Sequence, residues 1–228
     1  MTDKQADNSN AKPSTFYDEA YYAWQKTIGE FGGKANLFKF KDFIKDTDKV
    51  LEFGCGGGFL LDQITCREKI GIEINAVARA EAQKKGIVCY DDCSRVEDDW
   101  ADLIISNSAL EHVHDPLVIL RNLKRVLRLG GVIVFVVPHE KLRWKYKPED
   151  INQHLYTWSP MCLGNLFNTA GFVTEKVEII RRVWPPRYYV QLWHMFGQHT
   201  FEVASCIYAR LGGGLCIPLR IVAKKKAE

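Results

Sequence analysis

The chain has 228 residues, 46% hydrophobic and 26% charged, enough apolar material for one domain with a substantial core. A net charge of +3 is too mild to argue nucleic-acid binding, and no apolar stretch approaches the roughly 20 residues that span a bilayer. Seven scattered cysteines without a Cys-x-x-Cys pair, behind a polar N-terminus with no secretory signal, point to a reduced, cytoplasmic protein without structural zinc.

Residues 1–14 are polar, include Pro13 and read as a disordered tail, leaving 15–228 as a single domain. Tyr17, Tyr21, Trp24, Ile28 and Phe31 recur at gaps of four and three, the period of one helix face. Gly32-Gly33 is expected to end that helix. A second helix over 36–44 turns Leu37, Phe40 and Ile44 inward, so 15–46 form a helical cap.

Val50–Phe53 reads as a short buried strand, followed by Gly54, Gly56, Gly57 and Gly58 within five residues. Phe59-Leu60-Leu61 then opens a helix-compatible run. Strand, glycine turn and helix together present backbone N–H groups to a ligand, and glycine permits both φ > 0 and close approach. The dinucleotide fingerprint G-x-G-x-x-G would need glycine at 59, where Phe59 stands, and no P-loop pattern is present. The pattern Glu52-x-Gly54-x-Gly56-x-Gly58 instead resembles motif I of the class I S-adenosylmethionine-dependent methyltransferases. A second carboxylate, Glu73, ends the strand IGIEI (70–74), 73 − 52 = 21 positions on, placed to accept hydrogen bonds from ribose hydroxyls.

Asn75 caps a helix over 76–85 that Gly86 ends, and IVCY (87–90) forms a third strand running into Asp91-Asp92. The resemblance implies that one of these aspartates faces the adenine amino group, and either can serve. ADLIIS (101–106) is an apolar fourth strand, as a central parallel strand should be. Its tip, Ser106, Asn107 and Ser108, is where the methyl group should sit. Asp115-Pro116 opens a helix running to about Leu129, with Gly130-Gly131 stopping it before a fifth strand, VIVFVVP (132–138). Ser159-Pro160 opens helix 160–170, and FVTEKVEII (172–180) and CIPLRIVAKK (216–225) are the sixth and seventh strands. The alternation argues an α/β, doubly wound sheet covered on both faces.

ALEHVHDP, LKRVLRLGGVIVFVVP and HLYTWSP…LFNTAGF resemble successive landmarks of the small-molecule methyltransferases related to quinone-biosynthesis enzymes. The likeness covers nearly everything from Val50 to Glu178. It implies a seven-stranded Rossmann-like sheet whose last strand is antiparallel, with S-adenosylmethionine across the C-terminal strand edges. Glu52, Gly54, Cys55, Gly56, Gly58, Glu73, Asp91 or Asp92, Ser106 and Asn107 would then hold the cofactor. The block FYDEAYYAWQ…GEFGG resembles methyltransferases of bacterial surface-polysaccharide pathways, which implies a hydroxyl of a sugar or sugar phosphate as acceptor.

A hydroxyl acceptor calls for a base, and His112, His139 and His154 are the candidates. His112 and His114 lack a third ligand at matching spacing, so no metal is expected. Residues 181–214 form an insertion between the sixth and seventh strands, longer than a usual crossover. Within it Arg181, Arg182, Arg187 and Tyr188 lie among Trp184, Tyr189 and Trp193, a mix suited to an anionic, ring-bearing acceptor. Tyr189, Trp193, Phe196, Val203, Ile207 and Leu211 recur as an amphipathic helix that packs on the domain or on a second subunit.

Overall fold

The structure is a computed structural model that describes residues 19–226 except 142, 144, 149, 151, 186, 187 and 215. The 1–14 tail, Tyr17 and Arg187 lie outside the described residues, as do the side chains of Tyr21 and Trp24. Seven strands form one sheet: β1 (Lys49–Phe53), β2 (Glu68–Ile72), β3 (Val88–Tyr90), β4 (Ala101–Asn107), β5 (Leu127–Glu140), β6 (Phe172–Ile179) and β7 (Cys216–Lys225). Their order is β3-β2-β1-β4-β5-β7-β6, and β7 runs antiparallel to both neighbours, as the resemblance implied. The order reverses at β1 and β4, and a crevice outside the C-terminal ends of those strands is where such sheets bind ligands.

The central strands are buried on both faces. Along β5, Ile133, Phe135 and Val137 join one apolar layer while Val134 and Val136 join the other. Each such side chain contributes roughly 1.5–3 kcal/mol on burial. Helices α2 (Ala76–Lys84), α3 (Pro116–Val126) and α4 (Pro160–Thr169) start where Asn75, Asp115 and Ser159 accept hydrogen bonds from first-turn backbone N–H groups.

The N-terminal half departs from expectation in three places. First, α1 (Glu19–Asn36) runs straight through Gly32-Gly33. A Cβ on Gly33 would lie 2.2 Å from the Phe59 carbonyl oxygen, and one on Gly29 would lie 2.3 Å from the Phe59 ring. These two glycines, four apart, let the helix press on the glycine turn rather than end it. Second, 36–44 is two short 3-10 turns, Leu37–Lys39 and Lys41–Phe43, separated by fully buried Phe40. Third, no α-helix follows β1. Gly54, Gly56 and Gly58 take φ of +70°, +53° and +73°, and such alternation precludes helical propagation until a single 3-10 turn at Leu61–Gln63.

Two boundaries in the second half also move. Helix α3 stops at Val126 and Gly130-Gly131 lies inside β5, beside an irregularity in its pairing with β4. Helix α5 (Tyr189–Arg210) is interrupted at Gly197, whose φ is 79° and ψ 171°. Tyr189 and Trp193 pack on Phe31 of α1, but beyond the kink the buried residues are Phe201 and Ser205. The predicted stripe faces outward in part on both sides of the kink, with Phe196 60% and Leu211 81% exposed. Among the described residues, no helix is long and apolar enough to cross a membrane.

Candidate active site

A cavity of about 420 Å³ lies at the C-terminal ends of β1, β4 and β5, under α1. Its floor is the glycine turn. The backbone N–H groups of Gly54 and Cys55 donate to the Ile72 carbonyl at 2.8 and 3.1 Å, and Gln25 of α1 lies over Gly56. Gly54, Cys55 and Gly56 line the cavity; Gly58 does not, because its open side faces Ile87 and Ala82 of the α2 layer. Glu52, also in the wall, is buried with Oε2 lacking a hydrogen-bond partner among the described residues, and burial pushes its carboxyl well above the usual range. A buried, orphaned carboxylate oxygen in a cavity wall suits a ligand bearing donors.

Glu73 stands behind this wall. One carboxylate oxygen accepts from Gly56 N–H and the other from Asn75 N–H, both at 2.8 Å, so it ties the glycine turn to the start of α2. Burial raises its pKa against those two bonds. Of the two aspartates, Asp92 accepts from Ser94 N–H at 2.7 Å as a cap, while Asp91 is exposed and pairs with Arg95 at 3.4 Å. Neither lines the cavity, nor does Ser106, whose Oγ donates to the Phe53 carbonyl and ties β4 to β1. Asn107 and Ser108 do line it.

Lys39 was missed by the sequence reading, which expected a helix over 36–44 and singled out only Leu37, Phe40 and Ile44 in it. The 3-10 turn instead directs it inward, 7% exposed, with Nζ donating to Asn107 Oδ1 at 2.8 Å. Burial lowers its pKa to about 8, opposed by the nearby Cys216 and Glu111. The available signal was its position between Phe38 and Phe40 in an otherwise apolar run.

Across the cavity the loop after β4 meets the loop before α4. Glu111 is fully buried and neither of its carboxylate oxygens has a hydrogen-bond partner among the described residues. Burial, helped by nearby Glu140, raises its pKa to about 8. Nε2 of His112 and Nε2 of His154 each lie 4.0 Å from Glu111 Oε1, and the two imidazoles meet edge to face at 5.0 Å. Burial and the neighbouring His154 lower the His112 pKa to about 4. On its other side His154 Nδ1 donates to Glu140 Oε1 at 2.6 Å. The sequence reading found no third metal ligand because it weighed His114; the fold supplies His154, and the donor atoms of Glu111, His112 and His154 lie within 4.8 Å of one another. That trio could hold a cation.

The remaining candidates lie elsewhere. His139 does not line the cavity; the Trp158 carbonyl can only accept, so Nδ1 donates to it at 2.7 Å and the ring braces the loop. Arg181 is exposed, and Arg182 stacks over the Phe38 ring at 3.8 Å and pairs with Glu202 at 3.3 Å beside a second cavity. Tyr188 is 73% exposed. Of the insertion, Trp184 reaches the main cavity, and no described arginine lines it.

Residues 18–177 match the family model of a methyltransferase domain. The chain belongs to this family of methyltransferases, and its cofactor is S-adenosylmethionine. Among curated relatives it is similar to a ubiquinone biosynthesis O-methyltransferase of Histophilus somni, 30% identical over 51% of this chain and 50% of that one. The chain thus spans about half the length of that relative. Among solved structures it resembles a SAM-dependent methyltransferase of Thermotoga maritima, with TM-score 0.64 and 18% identity over 91% and 95% of the two chains. It also resembles the cyclase SpnF, with TM-score 0.61 and 16% identity over 90% and 84%. These two likenesses show the fold alone.

Proposed function

We propose that the chain transfers a methyl group to a hydroxyl of a small, ring-bearing acceptor, with His154 as general base. The observation that carries this is the 2.6 Å contact between His154 Nδ1 and Glu140. With Nδ1–H held by the carboxylate, Nε2 of the neutral ring is left as an acceptor beside the cavity. His112, with a pKa near 4, is too weak a base to compete.

When bound, S-adenosylmethionine supplies an electrophilic methyl on a sulfonium. Lys39 is suited to its carboxylate, orphaned Glu52 to its donors, and the Gly54–Gly56 turn to close approach of an uncharged part. His154 takes the hydroxyl proton at Nε2 as the oxygen attacks, and Glu140 stabilises the imidazolium that results. Walls of Trp184, Ile28, Val137, Pro138 and Pro218 exclude water and accept a flat ring.

Between ring classes, we favour a phenolic hydroxyl. The apolar wall, the lack of a described arginine in it and the name of the Histophilus relative support this reading. A phenol, with a pKa of about 10, also gives its proton to imidazole more readily than a sugar hydroxyl does. The sugar hydroxyl suggested by the N-terminal likeness is the second reading. Assaying turnover with S-adenosylmethionine on matched phenols and sugars decides: methylation of sugars alone overturns the phenolic choice.

A further inference from the structure

Two thiols meet behind the glycine turn in a way the methyl-transfer reading does not use. Cys55, between Gly54 and Gly56, and Cys89, in edge strand β3, come within 3.5 Å at their sulfurs, and both are buried. Strand β2 lies between them, and they can touch because residue 71 is glycine. A Cβ there would lie 2.5 Å from Cys55 Sγ and 3.1 Å from Cys89 Sγ. Cys55 also lines the cavity, which opens this otherwise buried pair to a small solute.

We propose that Cys55 and Cys89 form a reversible disulfide on exposure to a peroxide, and that this bond disables the cofactor site. The chemistry balances with hydrogen peroxide as the oxidant. One sulfur is oxidised to a sulfenic acid, the other attacks it, an S–S bond forms, and both peroxide oxygens leave as water with the two thiol protons. The hydrogen bond from Cys55 pulls the Cys89 thiol below its ordinary pKa, which favours the thiolate that such chemistry needs. The remaining five free cysteines have no sulfur partner of this kind among the described contacts.

Closing the bond draws the sulfurs from 3.5 Å to about 2.05 Å. Cys55 is tied by its own N–H to Ile72, and the next residue, Gly56, donates to Glu73. Moving Cys55 toward β3 therefore disturbs the turn on which the cofactor lies. Bound cofactor, by filling the cavity in front of Cys55, should in turn slow the oxidation.

The test treats the full chain with hydrogen peroxide, blocks free thiols, maps the linked peptides by mass spectrometry and measures S-adenosylhomocysteine affinity by calorimetry. The expected result is a Cys55–Cys89 link, affinity weakened at least about tenfold, recovery with dithiothreitol, and slower linkage when S-adenosylhomocysteine is present first. Cys89→Ser, with Cys89→Ala as a second variant should the first fold poorly, should keep its affinity after peroxide. Linkage to any other cysteine, no linkage, or a Cys55–Cys89 link with unchanged affinity overturns the proposal. None of these readouts needs an acceptor, so failure of the hydroxyl assignment leaves them unaffected.

Discussion

Glu140 holds His154 by a 2.6 Å hydrogen bond at Nδ1, which turns the opposite ring nitrogen toward Glu111 and the cavity. Removing the imidazole with His154→Ala should lower turnover on a hydroxyl acceptor by on the order of 10²–10⁴ while leaving S-adenosylhomocysteine affinity unchanged. Glu140→Gln should cut turnover less and alter its pH profile, because the imidazolium loses a counter-charge but the ring keeps a hydrogen-bond partner. Steady-state kinetics from pH 6 to 9 check both. Normal turnover in His154→Ala removes it from the chemistry.

Among the described residues, Lys39 is the one lysine or arginine that lines the cavity. Lys39→Met should weaken S-adenosylhomocysteine binding by about 1–3 kcal/mol, the scale of a lost charge-assisted hydrogen bond. Calorimetry across pH 7 to 9.5 adds a second readout. With a pKa near 8, wild-type Lys39 loses its charge over this range, so affinity should fall with pH in wild type and not in the variant.

Glu111 gives a stability prediction. Its folded pKa of about 8 lies above the unfolded value, so between the two the native state binds the extra proton. The corresponding stability is fully present below the unfolded pKa and is lost as pH rises toward 8. His112 acts oppositely, but only between about 4 and its unfolded value near 6.5. Between pH 6.5 and 8, ligand-free wild type should therefore lose about 1–2 kcal/mol that Glu111→Gln does not lose. Urea midpoints at those two pH values check it.

Arg182 of the insertion is predicted to be dispensable for the acceptor. Arg182→Gln breaks a partly exposed pair with Glu202 and a stack on Phe38, both away from the main cavity. It should leave the acceptor KM within about twofold of wild type while costing up to about 1 kcal/mol of stability. A KM rise confined to acidic acceptors would restore the anionic reading.

Much of the fold was legible because it rests on local signals. Asn75, Asp115 and Ser159 cap helices in the structure as their sequence contexts predict, and strand runs such as ADLIIS are buried on both faces. Glycine misled where its role is tertiary. Gly32-Gly33 looks like a helix stop, yet Gly33 is glycine because the Phe59 carbonyl occupies the place of a Cβ. Gly197 interrupts a periodic stripe, and beyond it Phe201 and Ser205, outside that stripe, are the buried residues. Within the site, the glycine turn was legible as a motif. Lys39 and Glu140 were not, because their roles depend on a 3-10 turn in place of a helix and on a loop partner 14 residues away in sequence.

The close approach of α1 to the turn is itself testable. Gly33→Ala gains roughly 1 kcal/mol in helix propensity but forces a Cβ against the Phe59 backbone. A net loss of about 1–3 kcal/mol is expected, together with weaker cofactor binding. Denaturant unfolding and calorimetry on the same preparation check the two effects.

The most direct measurement is transfer of an isotopically labelled methyl group from S-adenosylmethionine to matched phenolic and sugar hydroxyls by the full chain, read by mass spectrometry. The expected result is label on a ring hydroxyl, stoichiometric S-adenosylhomocysteine, and loss of both in His154→Ala with cofactor affinity retained. Label on an amine or carboxylate, or tight cofactor binding with no transfer to any hydroxyl in the panel, would contradict it.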